Sequence, residues 1–439
     1  MHFNIFKNTA LLFLLVAISC GNQMKTEDNK QKADELSSNE IRKQVKDDKA
    51  IIVGANQTEK YLPLLKGKQV GIVANQTSVI FKDSIYLTLK TNPNFANDNN
   101  QAYTKIQSSK HLVDSLLGLN INIKKVFSPE HGFRGKADAG ELVKDGKDTK
   151  TGLNIYSLHG KHKKPTTVQL EDIDIMIFDI QDVGVRFYTY ISTLHYVMEA
   201  CAENNIPLLI LDRPNPNGNY IDGPVLEKKH SSFLGMHTIP LVHGTTIGEY
   251  AKMINGEAWL TNGVRCEITI IENKNYSHSS FYSLPIRPSP NLPNDLSITL
   301  YPSLGLFEGT NINAGRGTEF QFQRYGSPFL DNNHYQFSYT PIPNFGSKYP
   351  KHQDKVCYGV DLSEVKAKRQ FTLKYIMDAY NNAKIKSEVF NTKNFTTHAG
   401  TETLQKQIES GMSESEIRAT WQDDLEAYKE IRQNYLIYD

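Results

Sequence analysis

The stretch that decides the fold is Ile173–Phe178, with the sequence IDIMIF, which is followed at once by Asp179–Gly184, with the sequence DIQDVG. A short apolar run rich in isoleucine that stops at Asp and Gly predicts a buried strand followed by a loop. Three further runs share this plan, each an apolar strand before a polar loop: Gln69–Ala74 before Asn75–Ser78, Ile123–Phe127 before Ser128–Gly132, and Pro207–Leu211 before Asp212–Gly218.

Helical stretches separate these runs, notably His111–Leu117 and Tyr188–Asn204. Apolar strands that alternate with helices predict a mostly parallel, doubly wound α/β sheet. In such sheets ligands bind beyond the carboxyl ends of the strands, so the four polar loops predict one cleft. The loops also suit ordinary turns, but His131, Arg186 and Arg213 are not turn-forming residues and favour a site.

Sequence signatures for cofactors and metals are missing from these loops. No Gly-x-Gly-x-x-Gly follows the first strand and no Walker-type loop occurs, so we expect no nucleotide cofactor. A metal site from His131, Asp179 and Asp212 is conceivable, but no ligand spacing specifies it, and we predict none. The Gly-x-Ser-x-Gly elbow of serine esterases is absent too, although Ser128 lies near His131.

Size and charge limit the classes of protein that the chain can belong to. A length of 439 residues predicts two domains. Lys+Arg 49 against Asp+Glu 48 leave a net charge of +1, so we expect no nucleic-acid partner. We place the first domain at residues 49–276 and the second at 277–439, because the chain becomes irregular and rich in proline from Ser277 onwards.

The N-terminus predicts export. Lys7 precedes the apolar run Ala10–Ile18, which is too short to span a bilayer and is typical of a signal peptide. The run ends at Ser19-Cys20-Gly21, so residues 1–20 resemble a bacterial lipoprotein signal with Cys20 as the lipidated residue. The alternative is a plain secretory signal with an incidental cysteine. Residues 21–48 are polar and charged and predict a flexible tether, which would leave a periplasmic or cell-surface protein on a lipid anchor.

Glu130 is the strongest candidate for a catalytic group. It lies between Pro129 and His131, with Phe127 and Phe133 close by in sequence. Desolvation by such neighbours keeps a carboxyl group protonated, as a general acid requires. The alternative is an exposed loop glutamate.

Several arginines and tyrosines are candidates for substrate binding. Arginine binds carboxylates through a planar fork, so an acidic substrate would fit, although most arginines only form surface ion pairs. The arginine candidates, each flanked by Gly, Pro or aromatic residues, are Arg134, Arg186, Arg213 and Arg316. Tyr188 and Tyr190 could stack on a ring, but residues two apart on a helix cannot both face one cleft.

Seven blocks together resemble the exo-β-N-acetylmuramidase family, long catalogued as a domain of unknown function. In chain order they are Ser128–Gly135 (SPEHGFRG), Asp179–Tyr190 (DIQDVGVRFYTY), Leu211–Pro216 (LDRPNP), Pro288–Pro293 (PSPNLP), Phe307–Asn311 (FEGTN), Gly315–Thr318 (GRGT) and Tyr435–Tyr438 (YLIY). The resemblance implies a Rossmann-like N-terminal domain without a nucleotide and a smaller α+β C-terminal domain. It also implies a glycosidase that releases N-acetylmuramic acid from the non-reducing end of peptidoglycan fragments.

Within these blocks the resemblance makes Glu130 the catalytic glutamate. A glycosidase also needs a second carboxylate, or an acetamido group of the substrate, at the anomeric carbon. Asp179 and Asp182 are the nearest candidates, and Glu308 is a remote one. The remaining candidates for binding the muramyl saccharide are His131, Asp212, Asn291 and Asn311.

The lactyl ether gives N-acetylmuramic acid a carboxylate that N-acetylglucosamine lacks. We expect Arg186, ahead of Arg316, to bind it. Arg134 and Arg213 come next. The alternative function is a non-catalytic lipoprotein that binds cell-wall sugars, in which Glu130 only accepts hydrogen bonds.

Overall fold

A seven-stranded sheet is the framework of the chain, seen in a computed structural model that describes residues 50–81, 109–135 and 145–439. The strands of this sheet are β1 (Val70–Ala74), β4 (Ile123–Ser128), β5 (Gly146–Lys147), β6 (Asn154–Ser157), β7 (Ile175–Asp179), β8 (Leu208–Leu211) and β11 (Ile268–Ile271). Their order in the sheet is β11-β8-β7-β1-β4-β6-β5, and every neighbouring pair except β5–β6 is parallel.

The core strands are buried along their whole length. Every residue of β1, β7 and β8 is shielded from solvent. Burial of both faces is the reason for near-continuous apolar runs, because a strand covered by helices has no polar face. The helices of this part are α1 (Thr58–Leu65), α2 (Leu112–Gly118), α3 (Thr167–Leu170), α4 (Tyr190–Glu203) and α5 (Ile247–Gly256). The α/β class predicted from the sequence is confirmed.

Short antiparallel pairs complete the strands of the N-terminal part. They are β2 (Val79–Phe81) with β3 (Ser109–His111) and β9 (Asp222–Val225) with β10 (Pro240–Val242).

The C-terminal part combines a small antiparallel sheet with helices. Its three strands are β12 (Arg324–Ser327), β13 (Phe337–Tyr339) and β14 (Cys357–Asp361), in the order β12-β14-β13. The helices are α6 (Asp295–Leu304), α7 (Lys374–Asn381), α8 (Thr392–Ala399), α9 (Thr403–Glu409), α10 (Glu414–Ala419) and α11 (Gln422–Gln433). A 3-10 turn, Gly305–Gly309, directly follows α6.

Residues 51–439 form one unit, because the C-terminal helices bind back onto the N-terminal part. The Tyr428 hydroxyl donates to the carbonyl of His243 at 2.8 Å, and the Arg432 guanidinium donates to the carbonyl of Gly244. The domain boundary at residue 277 stays a prediction. The predicted signal peptide, Cys20 and the tether at 21–48 lie outside the described residues. Within the described ranges, no helix combines the length and the apolar character that crossing a bilayer requires.

Candidate active site

A pocket lies beyond the carboxyl end of β4. Its walls come from the loop after β4, the segment that leads into α4, the connection between β9 and β10, and several segments of the C-terminal part. The lining residues are Glu130, His131, Phe187, Tyr188, Thr189, Leu234, Ser289, Asn291, Leu292, Tyr301, Glu308, Arg316 and Phe322. The crevice predicted at the strand ends is therefore completed by residues more than 150 positions further along the chain.

Glu130 is partly buried in a tight turn that follows β4. The amide of Gly132 closes this turn on the carbonyl of Pro129 at 3.1 Å. His131 has φ +72°, a left-handed conformation that costs free energy for a residue with a bulky side chain and is often found at functional sites. The Thr189 hydroxyl donates to Glu130 Oε2 at 3.0 Å. The strained turn and this hydrogen bond together hold the carboxyl group at the pocket wall.

Arg134 supports the same turn from behind, outside the pocket lining. Its guanidinium binds Asp114 at 3.0 Å and Asp148 at 2.7 Å, and it covers the Phe133 ring at 4.4 Å. Burial would raise the pKa of Asp148, but hydrogen bonds from Arg134 and Thr151 lower it to about 2. Both aspartates therefore stay charged at neutral pH and hold Arg134, so the structure gives this predicted binding residue a role in positioning the Glu130 loop.

One side of the pocket, the aromatic wall, consists of Phe187, Tyr188, Tyr301 and Phe322. Tyr301 meets the other three edge-on, with ring centroids 4.8–6.0 Å apart. The Tyr188 hydroxyl donates to the carbonyl of Pro288 at 2.7 Å. Burial raises the pKa of Tyr188 and of Tyr301 well above the usual value, so both stay neutral. Such rings give a ligand an apolar face with a few fixed polar atoms.

Only one of the two tyrosines singled out in the sequence, Tyr188, lines the pocket. Tyr190 lies behind the lining: its hydroxyl accepts from Asn75 Nδ2 at 2.9 Å and lies 3.5 Å from the carbonyl oxygens of Glu130 and Pro288, to which it donates. The spacing argument assumes that both tyrosines lie on one helix. In the structure α4 begins at Tyr190, so Tyr188 precedes the helix.

A second part of the pocket, the charged corner, consists of Glu308 and Arg316, which line it, and of His398 and Lys351, which lie beside them outside the lining. Arg316 Nη1 donates to Glu308 Oε1 at 3.0 Å, and His398 Nε2 lies 3.8 Å from the other carboxylate oxygen. Burial would raise the pKa of Glu308, but the nearby His398 ring and the Arg316 charge lower it to about 2. Burial lowers the pKa of Lys351 to about 8, so most of its ammonium groups are charged at neutral pH. One carboxylate thus faces two cationic groups.

Asn291 lines the pocket and binds the segment behind it. Its Nδ2 donates to the carbonyl of Gly346 at 2.6 Å, which fixes which end of the amide is the nitrogen. Its buried Oδ1 has no hydrogen-bond partner among the described residues. A buried acceptor without a donor costs free energy, and the hydrogen bond from the same amide to Gly346 offsets part of that cost.

Three of the predicted site residues form a buried group at the ends of β7 and β8. Arg213 binds both oxygens of Asp179 at 2.6 and 3.0 Å, and both side chains are almost completely buried. Asp212 accepts from the hydroxyls of Thr246 at 2.7 Å and Tyr438 at 2.8 Å. Burial raises the pKa of Asp212 to about 6. None of the three is part of the pocket lining.

Three further candidates also lie outside the lining. Arg186 is fully buried and donates to four backbone carbonyls, those of Pro224, Ile239, His398 and Ala399, at 2.7–3.1 Å. Asp182 Oδ2 accepts from the amide of Gly184 at 2.6 Å, and Asn311 Nδ2 donates to the carbonyl of Glu388 at 3.1 Å. The structure therefore uses Arg186 to connect the two parts of the chain.

Sequence reasoning missed several residues of the site. Thr189 lies inside one of the quoted blocks, where a hydroxyl directly after the aromatic pair Phe187-Tyr188 could have been noticed. Leu234, Tyr301 and Lys351 come from stretches whose sequence carries no comparable signal. Within residues 50–81, 109–135 and 145–439, no three His, Cys, Asp or Glu side chains are placed to hold a metal ion.

The pocket combines three features: a carboxyl group that a hydroxyl fixes, an aromatic wall, and a charged corner. On a Rossmann-like sheet, these features define a site for an acidic, ring-shaped ligand. The chain belongs to the exo-beta-N-acetylmuramidase NamZ family: residues 70–296 match the model of its N-terminal domain and residues 299–438 match that of its C-terminal domain. The resemblance stated from the sequence is thereby confirmed.

Individual relatives agree with this assignment. The peptidoglycan beta-N-acetylmuramidase NamZ of Bacillus subtilis (strain 168) is 37% identical over 401 residues, which cover 86% of this chain and 89% of the relative. Two crystal structures of DUF1343 family proteins from Bacteroides fragilis are similar, with TM-scores of 0.77 and 0.71 and identities of 42% and 26%. Each match covers 89% of this chain and 99% of the other.

Proposed function

We propose that the protein is an exo-β-N-acetylmuramidase, which hydrolyses the β-glycosidic bond of a terminal N-acetylmuramic acid in peptidoglycan fragments. Membership of the family and the named activity of the Bacillus subtilis relative support this function. The observation that carries it is Glu130, which lies in the family's Pro-Glu-His-Gly block and is fixed by Thr189 at the wall of the pocket.

In the proposed reaction Glu130 acts as the general acid. Its proton passes to the glycosidic oxygen while the bond from that oxygen to the anomeric carbon breaks, and positive charge develops on the sugar ring. A water molecule supplies the hydroxyl group of the released sugar, and its proton restores the carboxyl group. Thr189 contributes by fixing one carboxylate oxygen, which sets the direction of the other.

The second group that glycosidases need has two sources in this pocket. Glu308 is the other carboxylate of the lining and is anionic at neutral pH. The acetamido group of the substrate is the other source. We propose that Asp179 and Asp182, both buried outside the lining, act by shaping the strand ends and do not touch the sugar.

Recognition of the lactyl carboxylate is assigned to Arg316. It lines the pocket, whereas the guanidinium of Arg186 is surrounded by backbone carbonyls. Arg316 lies in the lining beside Glu308, and Lys351, held outside the lining by backbone carbonyls, adds a second positive charge near that carboxylate, so the charged corner favours an anionic group. The aromatic wall would then hold the apolar face of the sugar ring.

A chromogenic β-linked N-acetylmuramic acid glycoside tests the function directly. Catalytic release of the chromophore by the purified chain is expected, with little release from the matching N-acetylglucosamine compound. The alternative of a non-catalytic cell-wall binding protein predicts saturable binding of the muramyl compound without any turnover. A glycosidase as a near relative makes this alternative the weaker one.

We also propose that the protein is an exported lipoprotein held at the membrane through Cys20. The short apolar run and the Ser-Cys-Gly sequence at residues 19–21 support this proposal. The wild-type protein should sediment with membranes, whereas Cys20→Ser should be released or remain unprocessed. Equal membrane association of the two forms at the same processed mass would exclude the lipid anchor.

A further inference from the structure

The segment 342–350 lies at the pocket without lining it. Asn344 and Ser347 form a tight hairpin through two backbone hydrogen bonds of 3.0 and 3.1 Å, which leaves Phe345 and Gly346 at its tip. The carbonyl of Gly346 accepts from Asn291 at 2.6 Å and lies 3.5 Å from Arg316 Nη2. The hairpin tip thus touches two residues of the pocket lining.

The same segment is also attached to the loop that carries Arg316. The amide of Ile342 donates to the carbonyl of Gly317 at 2.9 Å, and Asn344 Nδ2 donates to the carbonyl of Thr318 at 3.0 Å. A Cβ atom on Gly346 would come within 2.8 Å of Asn291 Oδ1, so the contact requires a glycine. These contacts place the hairpin firmly beside the pocket.

Two aromatic side chains of this fixed segment point into solvent. Phe345 is 66% exposed and Tyr349 is 90% exposed, which makes them the two most exposed aromatic residues of the described chain. Ile342 next to them is 57% exposed. Single exposed apolar residues are common, but a group of them on a well-anchored segment beside a pocket is typical of a binding surface.

We propose that Phe345, with Tyr349 as a second contact, binds the sugar on the leaving side of the scissile bond, which in peptidoglycan is N-acetylglucosamine. This inference rests on the proposed function. An enzyme that removes a terminal sugar encloses that sugar, so the remainder of the glycan must leave the pocket across its rim. The next sugar is uncharged and offers an apolar face of C–H groups, which an exposed aromatic ring covers well. Phe345 is adjacent to the residue that contacts the pocket wall and should contribute more than Tyr349.

The test compares two substrates that share the muramyl group. One is the disaccharide in which N-acetylmuramic acid is β-linked to N-acetylglucosamine, and the other is the methyl β-glycoside of N-acetylmuramic acid, which has no leaving-side ring. Phe345→Ala should lower kcat/KM for the disaccharide roughly threefold to tenfold, as the loss of an aromatic contact does. The value for the methyl glycoside should stay within about twofold. Tyr349→Ala should act in the same direction but less.

Matched variants separate this effect from a general loss of structure. Phe345→Trp keeps a ring and should retain the preference for the disaccharide. Val168→Ala changes a side chain that is 70% exposed on α3 and should affect neither substrate. Gly346→Ala should impair both substrates, because the added methyl group displaces Asn291 in the pocket wall.

The outcomes separate this inference from the proposed function. A wild-type chain that releases N-acetylmuramic acid from neither substrate contradicts the function itself. An active wild-type chain whose substrate ratio is unchanged in Phe345→Ala contradicts only the leaving-side contact. Unchanged ratios together with altered sedimentation of Phe345→Ala would instead identify the patch as an interface between copies of the chain.

Discussion

Two groups of polar residues follow strands of the same parallel sheet, yet they have opposite environments. The turn after β4 presents Glu130 to the pocket, where Thr189 binds it. The ends of β7 and β8 carry Asp179, Asp212 and Arg213, which are buried and bind one another or the surrounding chain. The sheet therefore fixes where a crevice can form, while the segments that cover the strand ends decide which residues remain accessible.

The covering segments can be named. The amide of Gly54, near the start of the described chain, donates to the carbonyl of Asp212 at 2.9 Å. Tyr438, near the C-terminus, donates to the carboxylate of the same residue. Arg213 also donates to the carbonyl of Val79 at 3.0 Å. Both ends of the described chain thus close the β7–β8 side and leave the β4 side open.

The first way to test this contrast is to remove the acid on the open side. Glu130→Gln keeps the shape of the side chain but cannot donate a proton to the leaving oxygen. Turnover of the chromogenic muramyl glycoside should fall by about 10²–10⁴-fold, the usual contribution of general acid catalysis. The melting temperature should change little, because the amide can still accept from Thr189.

The control is Glu267→Gln. It changes an exposed carboxyl group just before β11, outside the pocket lining, and should leave turnover unchanged. Near-normal turnover by Glu130→Gln would contradict the catalytic role of Glu130. The turn after β4 would then no longer differ in function from the buried ends of β7 and β8.

On the buried side the expected loss is one of stability. Arg213→Met leaves the Asp179 carboxylate buried without its cation, which typically costs about 3–5 kcal/mol of unfolding free energy. Denaturant unfolding measures this loss. Replacing both partners by apolar residues, as in Asp179→Leu with Arg213→Met, should recover much of it, because a buried pair can often be exchanged for apolar side chains of similar volume. A stable Arg213→Met with lowered turnover would instead mean that Arg213 acts in the site.

The sequence was sufficient for the fold because the signal is local. The bounds of β7 differ by at most two residues from the quoted run Ile173–Phe178, and β8 lies within the predicted run Pro207–Leu211. Apolar character and polar strand ends are properties of a few consecutive residues, so they can be found without knowledge of tertiary contacts.

The composition of the site was only partly predictable. Glu130, Tyr188, Asn291, Glu308 and Arg316 were singled out from the sequence and lie together in the pocket lining. The burial of Arg186 depends on α8, whose last residues supply the carbonyls of His398 and Ala399, more than 200 positions away. No spacing in the sequence shows which arginine such a distant segment will cover.

The two arginines considered for the lactyl group provide the next comparison. Arg316→Ala should reduce the preference for the muramyl over the glucosaminyl substrate, since a lost charge-assisted hydrogen bond typically costs about 1.5–3 kcal/mol. Arg186→Ala should leave that ratio unchanged and lower the melting temperature, because four backbone carbonyls lose their donor. The ratio of kcat/KM values and the thermal transition of both variants distinguish the two roles. A changed ratio in Arg186→Ala alone would reverse the assignment.

The smallest expected effect concerns the ion pairs behind the Glu130 loop. The pKa of Asp148 is about 2 in the folded chain, against about 3.9 for an unperturbed aspartate. A lowered pKa in the folded state stabilises the fold above the unfolded value, and this contribution is lost as the pH falls from about 4 towards 2. The side chain of Arg134 keeps 25% of its surface exposed, so screening limits the contribution to about 1 kcal/mol.

Asp148→Asn should therefore be less stable than the wild type at pH 7 and nearly equal to it at pH 2. Urea unfolding across this range measures the difference, with the exposed Glu364→Gln as control. A difference that does not change with pH would show that the Asp148 charge is not its source, and that packing alone holds the loop.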